Sequence, residues 1–193
     1  MKKLMLLMVT TVAGSQTEAQ TWAIDNSHSQ VMFTVSHLVI SEVTGNFKTF
    51  NGSVTSKSSD FTDAAIAFNI DVKSINTESE MRDTHLKGDD FFNAEKYPTI
   101  AFAGKGLKKV SGNNYQLAGN LTIRDVTKPI VLDVVYSGTV KDPYGNTKAG
   151  FKIKGKVSRK DYNLKWNAMT EAGGAVVGDQ VEFVSNLQLT KSN

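Results

Sequence analysis

The chain contains no cysteine among its 193 residues. That excludes disulfide staples, thiol catalysis, iron–sulfur clusters and cysteine-based zinc sites. Histidine is nearly as scarce, at three. His28 and His37 lie in one strand region and His85 is distant in sequence, with no HExxH pair, so no metal site is expected. There is no GxSxG elbow and no glycine-rich phosphate loop of either common type. Charge of one sign is also missing. The 22 basic and 19 acidic residues leave a formal charge of +3 without a basic run or acidic tail, which gives nucleic-acid binding no electrostatic support.

Long apolar runs are absent as well. Leu4 to Val9 is much shorter than the roughly 20 residues needed to span a bilayer. Lys2 and Lys3 precede it, small residues follow, and Thr17-Glu18-Ala19 places small residues at −3 and −1. This is the pattern of a cleaved secretion signal over residues 1–19, with Gln20 as the first mature residue. Residues 20–193 then suit one domain, at roughly 100–200 residues per domain, and without disulfides they rest on a hydrophobic core and ladder hydrogen bonds.

The remainder alternates. Val31, Phe33 and Val35 share a face, as do Ala64, Ile66, Phe68, Ile70 and Val72. The same period joins Ile100 with Phe102, and Tyr115, Leu117, Leu121 and Ile123. It recurs in Ile130, Leu132, Val134 and Tyr136, in Phe151, Ile153 and Val157, and in Val181, Phe183, Leu187 and Leu189. A two-residue period marks half-buried antiparallel strands. The segment VTGNFKTFNGSVTS, with Gly45 and Gly52 around Phe47 and Phe50, reads as a strand bent by a bulge. Eight strands joined by polar turns predict an all-β meander, closed as a barrel or folded as a sandwich.

One region breaks the period. Thr77-Glu78-Ser79-Glu80 has the form of a capping box, and predicts a helix from Glu78 to about Lys87, ended by Gly88 through its tolerance of positive φ. Asp89 or Asp90 would cap a second turn through Phe91-Phe92-Asn93-Ala94 ahead of Pro98. A short helical insert therefore covers residues 77–95. Its Arg82, Asp83 and His85 read first as struts holding it to the strands and second as catalytic groups. Asp89 and Asp90, being adjacent, point about 100° apart on a helix and suit capping better than paired acid–base chemistry. The rival to a binding protein is a small hydrolase or isomerase that acts on an apolar substrate with His85 and Asp83 or Asp89. A third reading is a solid-cored barrel acting as a surface protein.

Phenylalanines occur on most of the strands and on the insert. Packing accounts for many of them, yet an eight-stranded barrel is wide enough either to fill with side chains or to hold one slender ligand. Small residues beside large ones (Ala101, Ala103 and Gly104 near Phe102; Ala118 and Gly119 near Leu117) would leave room for a tail.

Five motifs carry a resemblance. IDNSHSQVMFTVSHL with GNFKTFNGSV, RDTHLKGDDFFNAEKYPTIAF, LAGNLTIRDVTKPIVLDV, GFKIKGKVSRKDYNLKW and VGDQVEFVSNLQL are similar, in this order, to the motifs of the YceI-like family, over essentially the whole mature chain. The resemblance implies a lipocalin-like eight-stranded antiparallel barrel, secreted or periplasmic, that carries an isoprenoid or other long-chain lipid (polyisoprenoid, isoprenoid quinone or fatty amide) in its bore, without a cofactor or catalytic activity. The expected tail contacts are Phe33, Val35, Phe47, Phe68, Ile70, Phe91, Phe92, Phe102, Leu121 and Ile123. His37, Arg82, Asp83 and His85 are the expected polar groups near the pocket or its supports. A lipid cargo implies transient contact with a membrane, and an exposed strand edge would let a second copy pair with the first. Two departures stand out. Asp125 occupies a position where the family pattern has glycine, and the segment Trp166 to Val177, with Gly173 and Gly174, reads as a flexible loop that gates one end.

Overall fold

The computed structural model describes residues 18–169 and 173–192. The alternating segments form β1 (Gln20–Ile24), β2 (Gln30–His37), β3 (Ser41–Phe47), β4 (Phe50–Ser56), β5 (Ala65–Asp71), β6 (Ile75–Asn76), β7 (Thr99–Ser111), β8 (Asn114–Ile123), β9 (Val126–Lys141), β10 (Thr147–Ser158) and β11 (Val177–Lys191). One α-helix occurs among the described residues, α1 (Glu80–Lys87).

Together they make an eight-stranded closed antiparallel barrel. β1 and β2 are halves of one strand interrupted by a 3-10 turn at Asn26–His28, and β3 and β4 are halves of the next, interrupted at Lys48 and Thr49. The ring runs β1, β4, β5, β7, β8, β9, β10, β11 and closes back on β1, while β2 continues along β11 and carries β3 and β6. β1 precedes the first expected strand. With only Trp22 buried and Ile24 half-buried, its five residues are too few to show a period.

The break in the second strand explains the insert. β4 pairs with β5 up to Phe50–Ile70, but β3 turns away and pairs only with β2 and the two residues of β6. Residues 72–98 fill the opening this leaves between β3 and β5. Backbone hydrogen bonds seat them: Lys48 N–H to Ser74 O (3.1 Å), Asp71 N–H to Thr49 O (3.0 Å) and Val72 N–H to Pro98 O (2.9 Å).

The helix starts two residues later than expected, and the capping box does not form. Glu78 sits at φ 59°, and Ser79 is the N-cap without a side-chain cap bond. Buried Asp83 competes for the same partner, accepting from Thr77 N–H (2.9 Å) and Thr77 Oγ1 (2.6 Å). Gly88 ends the helix with its N–H on His85 O, at φ −72°, so positive φ is not its reason for being there. The following turn uses Asn93 at φ 49°, and its side-chain amide donates to Asp89.

The core divides along the barrel axis. One cluster, at the end holding the insert, is built on Val31, Phe47, Phe50, Phe91, Ile100, Leu121 and Ile123. The other is built on Trp22, Phe61, Leu107, Tyr115, Leu117 and Val134. This second end is closed by Phe61, from the loop between β4 and β5. Its ring meets Trp22, Tyr136 and Phe151 at 5.3, 5.6 and 5.1 Å between centroids, and it is 1% exposed. Phe61 adopts φ 61°, a costly conformation for a bulky residue. Asp63 anchors the loop by accepting from Ser56 Oγ and from the Lys57 and Ser58 amides, which hold its carboxyl below the usual range.

Candidate functional site

The insert end holds an apolar chamber of about 210 Å³ that is partly open to the outside. That exceeds the ~150 Å³ cavity that stays dry and admits benzene, and it falls short of the ~300–1,000 Å³ of drug-sized pockets. Its walls include Phe33, Val35, Phe47, Phe68, Ile70, Phe91, Phe92, Phe102, Leu121 and Ile123, which are the ten tail contacts expected from sequence. A second space of about 50 Å³ lies toward the plugged end. Ile66, Phe68, Leu117, Ile153 and Leu187 border both spaces.

Three of the chamber's phenylalanines, Phe33, Phe102 and Phe183, lie against the wall because glycines face them. Phe33 is paired in register with Gly45 and Phe183 with Gly155, and a β-carbon on either glycine would collide with the opposite ring. Phe102 covers Gly104 and Gly119 in the same way. The expectation of room beside Phe102 and Leu117 is therefore corrected. Gly104 and Gly119 face inward but receive the Phe102 ring, whereas Ala103 and Ala118 lie exposed on the outer surface. The space arises because these rings lie flat, not because small side chains leave a void.

Polar residues are few in the wall: Arg159 and Ser185. Arg159 was not anticipated. It is 4% exposed, and its donors are spent on the loop that follows β10 and on the start of β11. Nε donates to Gly178 O (2.9 Å), Nη1 to Leu164 O (2.8 Å) and Trp166 O (2.6 Å), and Nη2 to Val177 O (3.2 Å) and Asp179 Oδ1 (3.4 Å). Burial lowers its pKa, and the Asp179 carboxylate opposes that shift. Arg124 does similar work nearby. Its Nη1 donates to Phe91 O and Asn163 O, both at 2.9 Å, and its guanidinium lies 5.4 Å from the Tyr97 ring centroid, joining the insert to the loop after β10. Arg82 completes the set, donating to Thr77 Oγ1 (2.7 Å) and Thr77 O (2.6 Å). The chain has 19 lysines and these 3 arginines, and all three arginines tie backbone around the chamber. The planar fork of guanidinium serves several carbonyls at once, which ammonium does not. Their rarity was the available sequence signal.

The four polar candidates lie elsewhere than the chamber wall. His37 ends β2, its carbonyl accepting from Ser41 Oγ at 3.2 Å. Arg82 and Asp83 share Thr77, as a strut at the root of the helix. His85 stands edge-on to Phe91 and Trp166, at 5.0 and 5.3 Å, with Nε2 3.0 Å from Asp90 Oδ2. It supports Phe91 from outside the lining. His28 pairs with Asp25 at 3.1 Å. Among the described residues no group of three His, Asp or Glu could hold a metal ion.

A YceI-like domain model matches residues 22–189. The chain belongs to the YceI-like family. A UPF0312 protein of Photorhabdus laumondii is 38% identical over 142 residues, covering 74% of this chain and 73% of that one. The crystal structure of the Campylobacter jejuni YCEI protein superposes with a TM-score of 0.70 at 28% identity, covering 100% of both chains. A polyisoprenoid binding domain from Saccharophagus degradans superposes at 0.67 with 16% identity, covering 89% of this chain and 98% of that one, and shows the same fold.

Within this YceI-like barrel the departure at Asp125 has a local solution. The positive φ of the β8–β9 turn falls on Arg124, at 54°, and not on Asp125. Asp125 accepts from Asn163 Nδ2 at 3.2 Å, which holds its carboxyl below the usual range. The second departure, the loop between Trp166 and Val177, includes residues 170–172, which lie outside the described residues, as does nearly all of the expected signal segment 1–19.

Proposed function

We propose that this protein is a binding protein, not an enzyme, exported to the periplasm or secreted, that holds an isoprenoid or other long-chain lipid by its tail. One observation carries the reading: the chamber wall is apolar throughout, apart from Ser185 and an arginine whose donors are already spent. Such a wall rewards chain length and width. Each methylene buried contributes about 0.8 kcal/mol before ordering costs, so affinity grows with the length of tail that enters. The chamber takes the leading segment of a chain, and a longer tail would extend toward the smaller space past the residues that border both, Ile66, Phe68, Leu117, Ile153 and Leu187. A Saccharophagus degradans relative in fold is a polyisoprenoid binding domain, which agrees with this ligand class.

Native mass spectrometry of the protein purified from a bacterial host tests the proposal. A co-purified long-chain lipid, displaced by added ubiquinone, is the expected result. A protein that stays empty and shows no ubiquinone binding in titration overturns it. The enzyme alternative relies on His85, which is outside the chamber wall, and turnover of an apolar ester lost in His85→Ala would revive it.

A further inference from the structure

The hairpin joining β2 to β3 has an unusual tip. His37-Leu38-Val39-Ile40 turns with Leu38 at φ 53° and Val39 at φ 66°. Two consecutive positive φ angles define the type I′ turn, which favours Asn-Gly and penalises bulky or β-branched residues. The strain is not offset by burial. Val39 is 75% exposed, Ile40 86% and Leu38 37%. Gly112-Asn113 and Arg124-Asp125 differ, being polar turns, and Asp142 to Asn146 is polar apart from exposed Tyr144; none of the three carries consecutive aliphatic residues.

The position of the tip gives this a direction. Val35 and Val177 line the chamber, Val177 is the register partner of His37, and Leu38 N–H bonds Val176 O at 2.9 Å. The tip thus stands directly above the chamber wall, about 10 Å beyond Val35 at the rise of a strand. From Asn26 to Ser41 there is no Asp, Glu, Lys or Arg, and the first formal charge below the tip is Glu42, opposite Ser36, so residues 37–41 can leave water without desolvating a formal charge.

We infer that Leu38, Val39 and Ile40 are a membrane-insertion tip that seats the open end of the barrel on a lipid bilayer, so that the cargo passes between bilayer and chamber without crossing water. The inference rests on the lipid-binding reading for its cargo but not for its surface. Strain at the tip is kept because apolar side chains there serve a partner that the monomer does not contain. The bilayer is the partner that matches an uncharged, wedge-like tip at the mouth of an apolar chamber.

The triple variant Leu38→Asn, Val39→Gly, Ile40→Thr tests this, because it installs the residues the turn favours and so keeps or raises thermal stability. Flotation with phosphatidylcholine vesicles should recover the unaltered protein and lose the variant, with binding falling about tenfold for each large side chain removed. Extraction of ubiquinone from those vesicles should slow by a similar factor, while ubiquinone delivered from ethanol loads both forms equally. Equal flotation and equal extraction by the two forms overturn the inference and leave the chamber reading intact. Failure of both forms to load ubiquinone from ethanol defeats the chamber reading alone, since flotation still reports on the tip. Self-association lost in the variant, with no vesicle effect, assigns the tip to a second copy and likewise overturns the inference.

Discussion

The two ends of the barrel use the same material to opposite effect. At the plugged end, Phe61 drops into the bore from a loop and packs edge-on against Tyr136 and Phe151, with Trp22 tilted beside it. At the insert end, Phe33, Phe102 and Phe183 lie flat against glycines, and a chamber of about 210 Å³ remains. An aromatic ring closes a barrel when it projects from a loop along the axis, and lines a barrel when a glycine across the strand pair receives its face. Composition does not separate these cases; the residue opposite does.

Substitutions can break or sharpen this contrast. The largest effect is expected from Phe61→Ala, at about 3–5 kcal/mol of stability, measured by urea unfolding. Phe92→Ala, in a residue that already borders free space, should cost roughly half as much because fewer contacts are lost. Equal costs at the two ends would remove the distinction between plug and wall.

Arg159→Lys comes next. It leaves several carbonyls of the loop after β10 without a donor while preserving charge, and should cost about 2–3 kcal/mol. Lys152→Arg, on an exposed outward position of β10, is the control and should stay within about 0.5 kcal/mol.

Gly155→Val should cost about 1–3 kcal/mol through overpacking. It also drives the Phe183 ring into the chamber, so the amount of co-purified lipid should fall more steeply than stability does. Unchanged lipid loading would show that the flat ring is not what keeps the chamber open.

The smallest effect lies outside the barrel wall. Burial alone would raise the Asp25 carboxyl, but hydrogen bonds from Lys148, His28 and Gln188 outweigh it and hold the pKa at about 2. A carboxyl lowered on folding stabilises above its unfolded value near pH 4, and that contribution is lost as pH falls toward 2. Asp25→Asn should flatten the acid limb of the stability profile across that window, by on the order of 1 kcal/mol. An unchanged limb would place acid sensitivity at the Asp60 and Asp63 loop of the plugged end instead, where carboxyls are also held low.

Much of this was legible in the sequence because strands write a period of two. The inward tracks follow from alternation, and the ten residues expected as tail contacts border the chamber: nine are on such a track or on the insert, and Phe47 is on the glycine-bracketed segment between them. What stayed hidden was non-periodic. Phe61 belongs to a loop, and only its contacts with Trp22, Tyr136 and Phe151 reveal a plug. The capping box at Thr77 was a sound local pattern overridden by a competing one, the bonds that buried Asp83 takes from Thr77 six residues away. His37, Arg82, Asp83 and His85 were expected near the pocket or in its supports; Arg82, Asp83 and His85 hydrogen-bond within the insert as supports, and His37 ends β2 beside Val177. Arg159 carries no periodic signal, and its part follows only from its carbonyl partners.

The seam between β3 and β5 has a wider consequence. Asp71 and Thr99, where the insert leaves and re-enters the sheet, are register partners on adjacent strands. Apart from the two rungs that β6 makes with β3, at Asn46–Asn76 and Phe47–Ile75, residues can therefore be added or removed between them without shifting the ladder. The frame and the fitting are separable: a longer or shorter insert would resize the compartment for another cargo while the barrel stayed as it is.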